Sequence, residues 1–246
     1  MATSPGTMHS LTHAVRMVEL LSEGGPTGLS ALSEGVGIPR ATALRVLGTL
    51  SEHGWITREG KKYRLTLRLL ELGVKVQDAT HLQRLADPVL RELVAMTGET
   101  AHFAVQDGDR IGYVAKLDSP HPLRMFSHVG WRGPLHATAA GKIVLAYGDP
   151  ALKENLVLEA FTAQTITDTV HLNGALDLIR KKGYAVDQQE LIEGLVCLAA
   201  PVHSVNRLVG AISVSGPASR VNETRWQELV TALQQACERL GERLSA

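Results

Sequence analysis

The stretch Pro39-Arg40-Ala41-Thr42-Ala43-Leu44-Arg45-Val46-Leu47-Gly48-Thr49-Leu50 decides how this chain reads. Wound at about 100° per residue, Ala43, Leu47 and Leu50 share one side, flanked by Leu44 and Val46. Ala41, Thr42, Arg45 and Thr49 fall on the other. Pro39 suits the first position of a helix, where a missing N–H costs nothing. A helix that enters the major groove needs small or hydrogen-bonding side chains where it meets base edges, and an arginine there can pair with guanine. The spacing predicts a recognition helix, with Arg40, Thr42 and Arg45 at the bases.

The neighbouring segments support that reading. A short helix from Leu29 to about residue 35 precedes the turn Val36-Gly37-Ile38. Before it, Ser10 is a plausible cap for a helix that carries Leu11, Val15, Val18 and Leu21 on one face and stops at Gly24-Gly25-Pro26. Downstream, Trp55-Ile-Thr-Arg-Glu-Gly-Lys-Lys-Tyr-Arg-Leu65 reads as a hairpin with Gly60 near its tip, so that Lys61 and Lys62 would rest on phosphates. Three helices followed by a basic hairpin describe a winged helix-turn-helix. Between residues 39 and 64 the bases Arg40, Arg45, Arg58, Lys61, Lys62 and Arg64 face only two acids, Glu52 and Glu59. Over the whole chain 25 basic residues balance 25 acidic ones, so affinity for nucleic acid must come from this local patch.

At 246 residues, 44% hydrophobic and 20% charged, the chain is expected to be a globular protein of one large domain or two ordinary ones. No apolar run approaches the roughly 18 to 20 residues that cross a bilayer, and the first ten residues carry no secretory pattern. Cys197 and Cys237 stand in unrelated contexts, which suits reduced thiols in a cytoplasm. No cofactor, metal or catalytic group is expected. Cys197 and His136 would make a nucleophile and base only if something joined them, there is no Gly-x-Ser-x-Gly elbow, and His121, His128 and His136 match no ligand spacing.

Beyond residue 99 the pattern turns to strands. Those over 100–106 and 110–116 meet across Asp107-Gly108-Asp109, and further strands are expected over 184–188, 195–203 and 209–215. Helices are expected over 139–147, 150–160, 172–182 and 222–244. Upstream lie an apolar helical segment marked by Leu69, Leu70, Gly73 and Val76, and a helix over 81–96 that bends or restarts at Asp87-Pro88. Hairpin-linked strands with helices between them describe an α+β sensor with an antiparallel sheet. Within it, Gly130-Trp-Arg-Gly-Pro-Leu-His-Ala-Thr-Ala-Ala-Gly-Lys142 resembles a nucleotide-phosphate loop, but His136 and Ile143 stand where that motif needs Gly and Ser or Thr. What remains is a helix start with small residues and free N–H groups, suited to any anion. Ser213 and Ser215 share one face of their strand, as pocket wall or as satisfied core serines. Asp187 reads equally as a turn cap, Cys197 as a small buried hydrophobe, and Lys142 as solvent-facing or paired with a structural partner.

The recognition stretch, Gly54-Trp-Ile, Tyr63-Arg-Leu-Thr-Leu-Arg-Leu-Leu-Glu-Leu-Gly73, Gly194-Leu-Val-Cys-Leu-Ala-Ala-Pro-Val202 and Gly210-Ala-Ile-Ser-Val-Ser-Gly-Pro217 together resemble the IclR family of bacterial transcription regulators. The resemblance runs from about Ser10 to Val221. It implies a winged helix-turn-helix over 1–65, a helical linker over 66–80, and a GAF-like effector-binding domain over 81–246. It also implies a small organic acid held by the backbone of Ala139 and Ala140, with Asp187, Cys197, Ser213 and Ser215 around it. The partners expected are operator DNA, that effector, and further copies of the chain as a homodimer or a dimer of dimers. Thr66 departs from the family, which usually has Gly there. A sensor or scaffold that works through protein partners without DNA is the competing reading.

Overall fold

The computed structural model describes residues 8–74, 77–125, 127–154, 156–205 and 207–245. They form two compact units, Met1–Gln77 and Asp78–Ala246.

In the first unit, α1 (His9–Gly24), α2 (Leu29–Val36) and α3 (Arg40–Glu52) surround a core of Met17, Leu21, Leu32, Ala43, Leu47, Leu50, Ile56 and Tyr63. Ser10 lies inside α1; the capping position belongs to Met8, which makes no side-chain cap. Pro39 likewise caps α3 from one position earlier than expected. Gly37, at φ 77°, turns the chain left-handed after α2, and its N–H reaches back to the carbonyls of Ser33 and Glu34. This is the turn of the helix-turn-helix, and a side chain there would be strained. Strands β2 (Ile56–Glu59) and β3 (Lys62–Leu65) make the hairpin, and a two-residue strand, β1 (Thr27–Gly28), extends it in the order β1-β3-β2. A strand of two residues has no period to read, so β1 is not legible in the sequence.

Thr66 closes the corner between hairpin and helix α4 (Leu67–Val74). Its hydroxyl donates to the Gly54 carbonyl and accepts from the Arg68 N–H at 3.2 Å. A threonine in place of the family's glycine thus ties the hairpin base to the start of the next helix. Val76, assigned to the linker's apolar face, lies outside the described residues.

The second unit is a six-stranded sheet, antiparallel throughout, in the order β6-β5-β4-β9-β8-β7. Its strands are β4 (Thr100–Asp107), β5 (Arg110–Leu117), β6 (Arg132–Pro134), β7 (Ala185–Gln188), β8 (Leu195–Ser204) and β9 (Arg207–Pro217). Alternation sorts the side chains. Ala101, Phe103, Val196, Leu198, Ile212 and Val214 pack with α5 (Gln77–Thr97) and α8 (Glu223–Ser245). Ala104, Ile111, Tyr113, Cys197, Ala199 and Ala211 face α6 (Ala139–Tyr147) and α7 (Thr169–Lys182). Each core is one face of the sheet with its own helix layer. Helix α5 runs unbroken through Pro88, where the sequence suggested a bend or restart; Ala86, Val89 and Leu90 beside it are buried against the sheet and hold it in line.

The helix expected over 150–160 is only a 3-10 turn, Pro150–Lys153, capped by Asp149. Beyond it the backbone has other partners: the Glu159 carbonyl meets His136 Nε2 at 2.9 Å, and the Phe161 N–H donates to Thr165 Oγ at 3.0 Å. Helix α6 starts and stops where the sequence placed it. Thr138 caps it by accepting from the Gly141 N–H at 3.0 Å. Gly141 is required here, because a Cβ would lie 2.4 Å from the Leu135 carbonyl oxygen.

Candidate functional site

On α3, Arg40, Ala41, Arg45 and Thr49 are exposed and Thr42 is half-buried, while Ala43, Leu47 and Leu50 turn inward. The face proposed for DNA is therefore presented to solvent. Leu44 departs from the expectation: it is 47% exposed and belongs to the outer side. The Arg40 guanidinium donates to Ser30 Oγ on α2 at 2.8 Å, so part of its hydrogen-bonding capacity holds the two helices together.

In the hairpin the bases divide by partner. Arg58 donates to the Gly60 carbonyl at 3.0 Å and lies 5.8 Å from the centre of the Tyr63 ring. Arg64 pairs with Glu59 at 2.6 Å. Lys61 and Lys62 are exposed and make no ion pair among the described residues. The two arginines are thus engaged within the hairpin, while the two lysines make no ion pair there.

In the second unit, α6 lies across β7, β8 and β9, and the four predicted polar residues come together on the sheet face beneath it. Cys197 pairs with Asp187 on one side and Ser215 on the other, and Ser213 pairs with His102 on β4 and Ala199 on β8. All are buried. The N–H groups of Ala139 and Ala140 at the start of α6 have no hydrogen-bond acceptor among the described residues. Ser215 Oγ, although opposite the Cys197 thiol in the ladder, has no hydrogen-bond partner among them either. Asp187 Oδ1 accepts from the N–H of Glu190 at 2.8 Å and of Leu191 at 3.4 Å. Those bonds favour the carboxylate, but burial outweighs them and pushes its pKa up to about 6. Burial, followed by the charge of Asp187, also raises the Cys197 thiol well above its usual range, so it is no nucleophile at neutral pH. His136, the base that a Cys–His pairing would need, is turned instead to the Glu159 carbonyl.

Sequence reasoning passed over two members of this face, His102 and Tyr113. His102 and Tyr113 stack at 4.3 Å with planes 22° apart, and Trp131 lies 4.9 Å beyond Tyr113. His102 Nε2 meets Ser127 Oγ at 2.7 Å, its Nδ1 has no partner, and burial lowers its pKa to about 3, so the ring is neutral. Burial raises the Tyr113 hydroxyl well above its usual range, with Cys197 and Asp187 adding to the shift. The available signal was the period of two that puts His102 on the same face as Ala104. Lys142, read from the sequence as solvent-facing or paired with a structural partner, is buried and takes the second course: it pairs with Glu190, 48 positions away in the chain, whose other oxygen is buried without a partner among the described residues.

Comparison with known proteins settles the family. Residues 10–60 match the model of the IclR helix-turn-helix domain, and residues 74–241 match the bacterial transcriptional regulator IclR C-terminal model. The chain belongs to the IclR family. It is a DNA-binding transcriptional regulator with a C-terminal effector-binding domain. An IclR-family relative, the HTH-type transcriptional regulator KdgR of Dickeya chrysanthemi, is 38% identical over 98% of this chain and 81% of its own length. The crystal structure of Thermotoga maritima IclR superposes with a TM-score of 0.78 at 28% identity, covering 98% of this chain and 100% of that one. An IclR homologue from Microbacterium hydrocarbonoxydans complexed with 4-hydroxybenzoate gives 0.80 at 23% identity, over 95% and 98% of the two chains, and so shares the fold. Among the described residues no helix is long and apolar enough to cross a membrane, and no three His, Cys, Asp or Glu side chains gather as metal ligands.

Proposed function

We propose that this IclR-family regulator reads its operator with Ala41, Thr42, Arg45 and Thr49 on α3, supported by Arg40, and holds phosphates with Lys61 and Lys62. The exposure of that face beside two uncommitted lysines supports the reading. Arg45→Ala is expected to lower affinity for the operator about ten- to a hundredfold and to relax base preference at one position. Lys62→Ala is expected to weaken operator and scrambled duplex alike and to reduce the salt slope by about one. Fluorescence anisotropy at several salt concentrations measures both; equal loss on the two duplexes for Arg45→Ala would count against its assignment.

The effector we propose is a small organic acid at the start of α6. Its carboxylate accepts from the N–H groups of Ala139 and Ala140, and Ser213, Ser215, Cys197 and Asp187 surround the remainder. The observation that carries this reading is the pair of N–H donors left unsatisfied at a buried helix start, since anions bind there readily. The 4-hydroxybenzoate held by the Microbacterium homologue is a ligand of the same chemical class. Binding at residues 81–246 shifts operator affinity through the linker at 66–80 with a coupling of about 1–3 kcal/mol, in a cytoplasmic dimer or dimer of dimers that breaks no bond. Calorimetric titration of aliphatic and aromatic acids against their amides tests it. Acids should bind and amides should not, and Ala140→Leu should lower acid affinity at least tenfold while operator binding without effector persists. An amide that binds as well as its acid would overturn the carboxylate role.

A further inference from the structure

Gly48 stands in the middle of α3, exposed, with ordinary helical backbone. A Cβ built on it meets no atom within 4 Å. Nothing among the described residues therefore explains the glycine, and a glycine at mid-helix is less favourable than alanine. Gly48 lies seven residues, almost two turns, from Ala41, so the two share the line of the helix that projects furthest from the core. Leu44 and Arg45 stand on either side of that line, and both are exposed. A bare stripe flanked by one apolar and one cationic side chain, with the basic hairpin in the same unit, fits the major groove of B-DNA. There a thymine offers a methyl group and a guanine offers two acceptors.

Building on the α3 assignment above, we propose that Gly48 is the point where the recognition helix comes closest to the base edges and that Leu44 packs against a thymine methyl. Each operator half-site then contains an A·T pair read through its methyl group beside the base read by Arg45. Close approach at Gly48 sets the depth of the helix, and Leu44 discriminates thymine from bases without a methyl. The exposure of an aliphatic side chain on the binding face acquires a use, and so does an unfavourable residue in the helix.

The test uses the full-length protein and an operator selected from random duplexes. Gly48→Ala is expected to melt a few degrees higher than the parent and yet to bind the operator at least tenfold more weakly. Deoxyuridine replacing thymine, one position at a time, is expected to weaken the parent about fourfold at one pair in each half-site, the equivalent of one buried methyl group. Leu44→Ala should be insensitive to that replacement. The proposal is overturned if Gly48→Ala binds as the parent does or melts lower, or if no uracil position separates the parent from Leu44→Ala. Arg45→Ala and Lys62→Ala run alongside separate the two levels. If they weaken binding while Gly48 and Leu44 do not matter, only this inference fails; if they too have no effect, the α3 reading itself fails.

Discussion

Replacing Arg220 by alanine is expected to destabilise the second unit by about 3 kcal/mol, because it strands a buried carboxylate. Glu99 is fully buried just before β4, and Arg220, just after β9, grips it with both arms of the guanidinium, at 2.7 and 2.8 Å. The same guanidinium donates to the Leu123 carbonyl at 2.9 Å. Removing it leaves Glu99 with Arg225, 3.8 Å away, as its remaining cation among the described residues, which keeps the loss near the lower end of the range for a broken buried pair. The double variant Glu99→Gln with Arg220→Ala should recover part of the stability, since no charge is then left stranded. Urea unfolding of the three variants decides the matter. A loss below about 1 kcal/mol for Arg220→Ala, typical of an exposed pair, would show that Glu99 is not excluded from water as its burial implies.

The second large effect concerns pH. Burial raises Asp187 to about 6 from an ordinary value of 3.8, so the folded protein holds this proton more tightly than the unfolded chain does. Its stabilising contribution is complete below the unfolded value and is lost as pH rises through 6, a change of about 3 kcal/mol at most. His102, lowered to about 3 from 6.5, acts in the opposite sense: its contribution is complete above 6.5 and is lost as pH falls. Between about pH 4 and 6 the two slopes oppose one another and wild-type stability changes little. Asp187→Asn keeps the Oδ1 acceptor for the Glu190 and Leu191 N–H groups while removing the titration. The variant should therefore gain stability on the parent as pH rises from 4 to 7 and expose the His102 slope on the acid side. Denaturant midpoints at unit pH intervals measure this; parallel profiles for the two proteins would refute it. At the effector site proposed above, affinity is expected to follow the same group. A carboxylate placed beside Asp187 should bind less tightly to the parent as pH rises through 6, and the variant should lose that dependence.

Legibility in the sequence followed the range of the interactions involved. Helix α6 was readable to the residue because its cap, its glycine and its apolar run are all local. The sharing of one face by Ser213 and Ser215 followed from strand alternation. The 3-10 turn at Pro150–Lys153 was misread as a longer helix because what stops it is distant: a carbonyl claimed by His136 and an N–H claimed by Thr165. Lys142 was left between solvent and a structural partner, and only the approach of the turn after β7 brings Glu190 to it. Leu44 was misplaced because at the edge of a helix face a rotation of one residue separates core from solvent, and no period in thirteen residues fixes that edge. His102 and Tyr113 were overlooked because their stacking depends on the register of β4 against β5, which includes a bulge after Phe103.

The pairing of β4 with β9 sets the order in which the protein takes shape. Thr100 meets Ser215 across the middle of the sheet, and Glu99 meets Arg220 beside it. These contacts span roughly a hundred residues or more, so their closure is slow and waits until almost all of the chain has left the ribosome. Every contact within the helix-turn-helix and its hairpin, by contrast, lies within the first 66 residues. During synthesis the segment that builds the helix-turn-helix and its hairpin is therefore free to fold well before the sheet of the second unit can close.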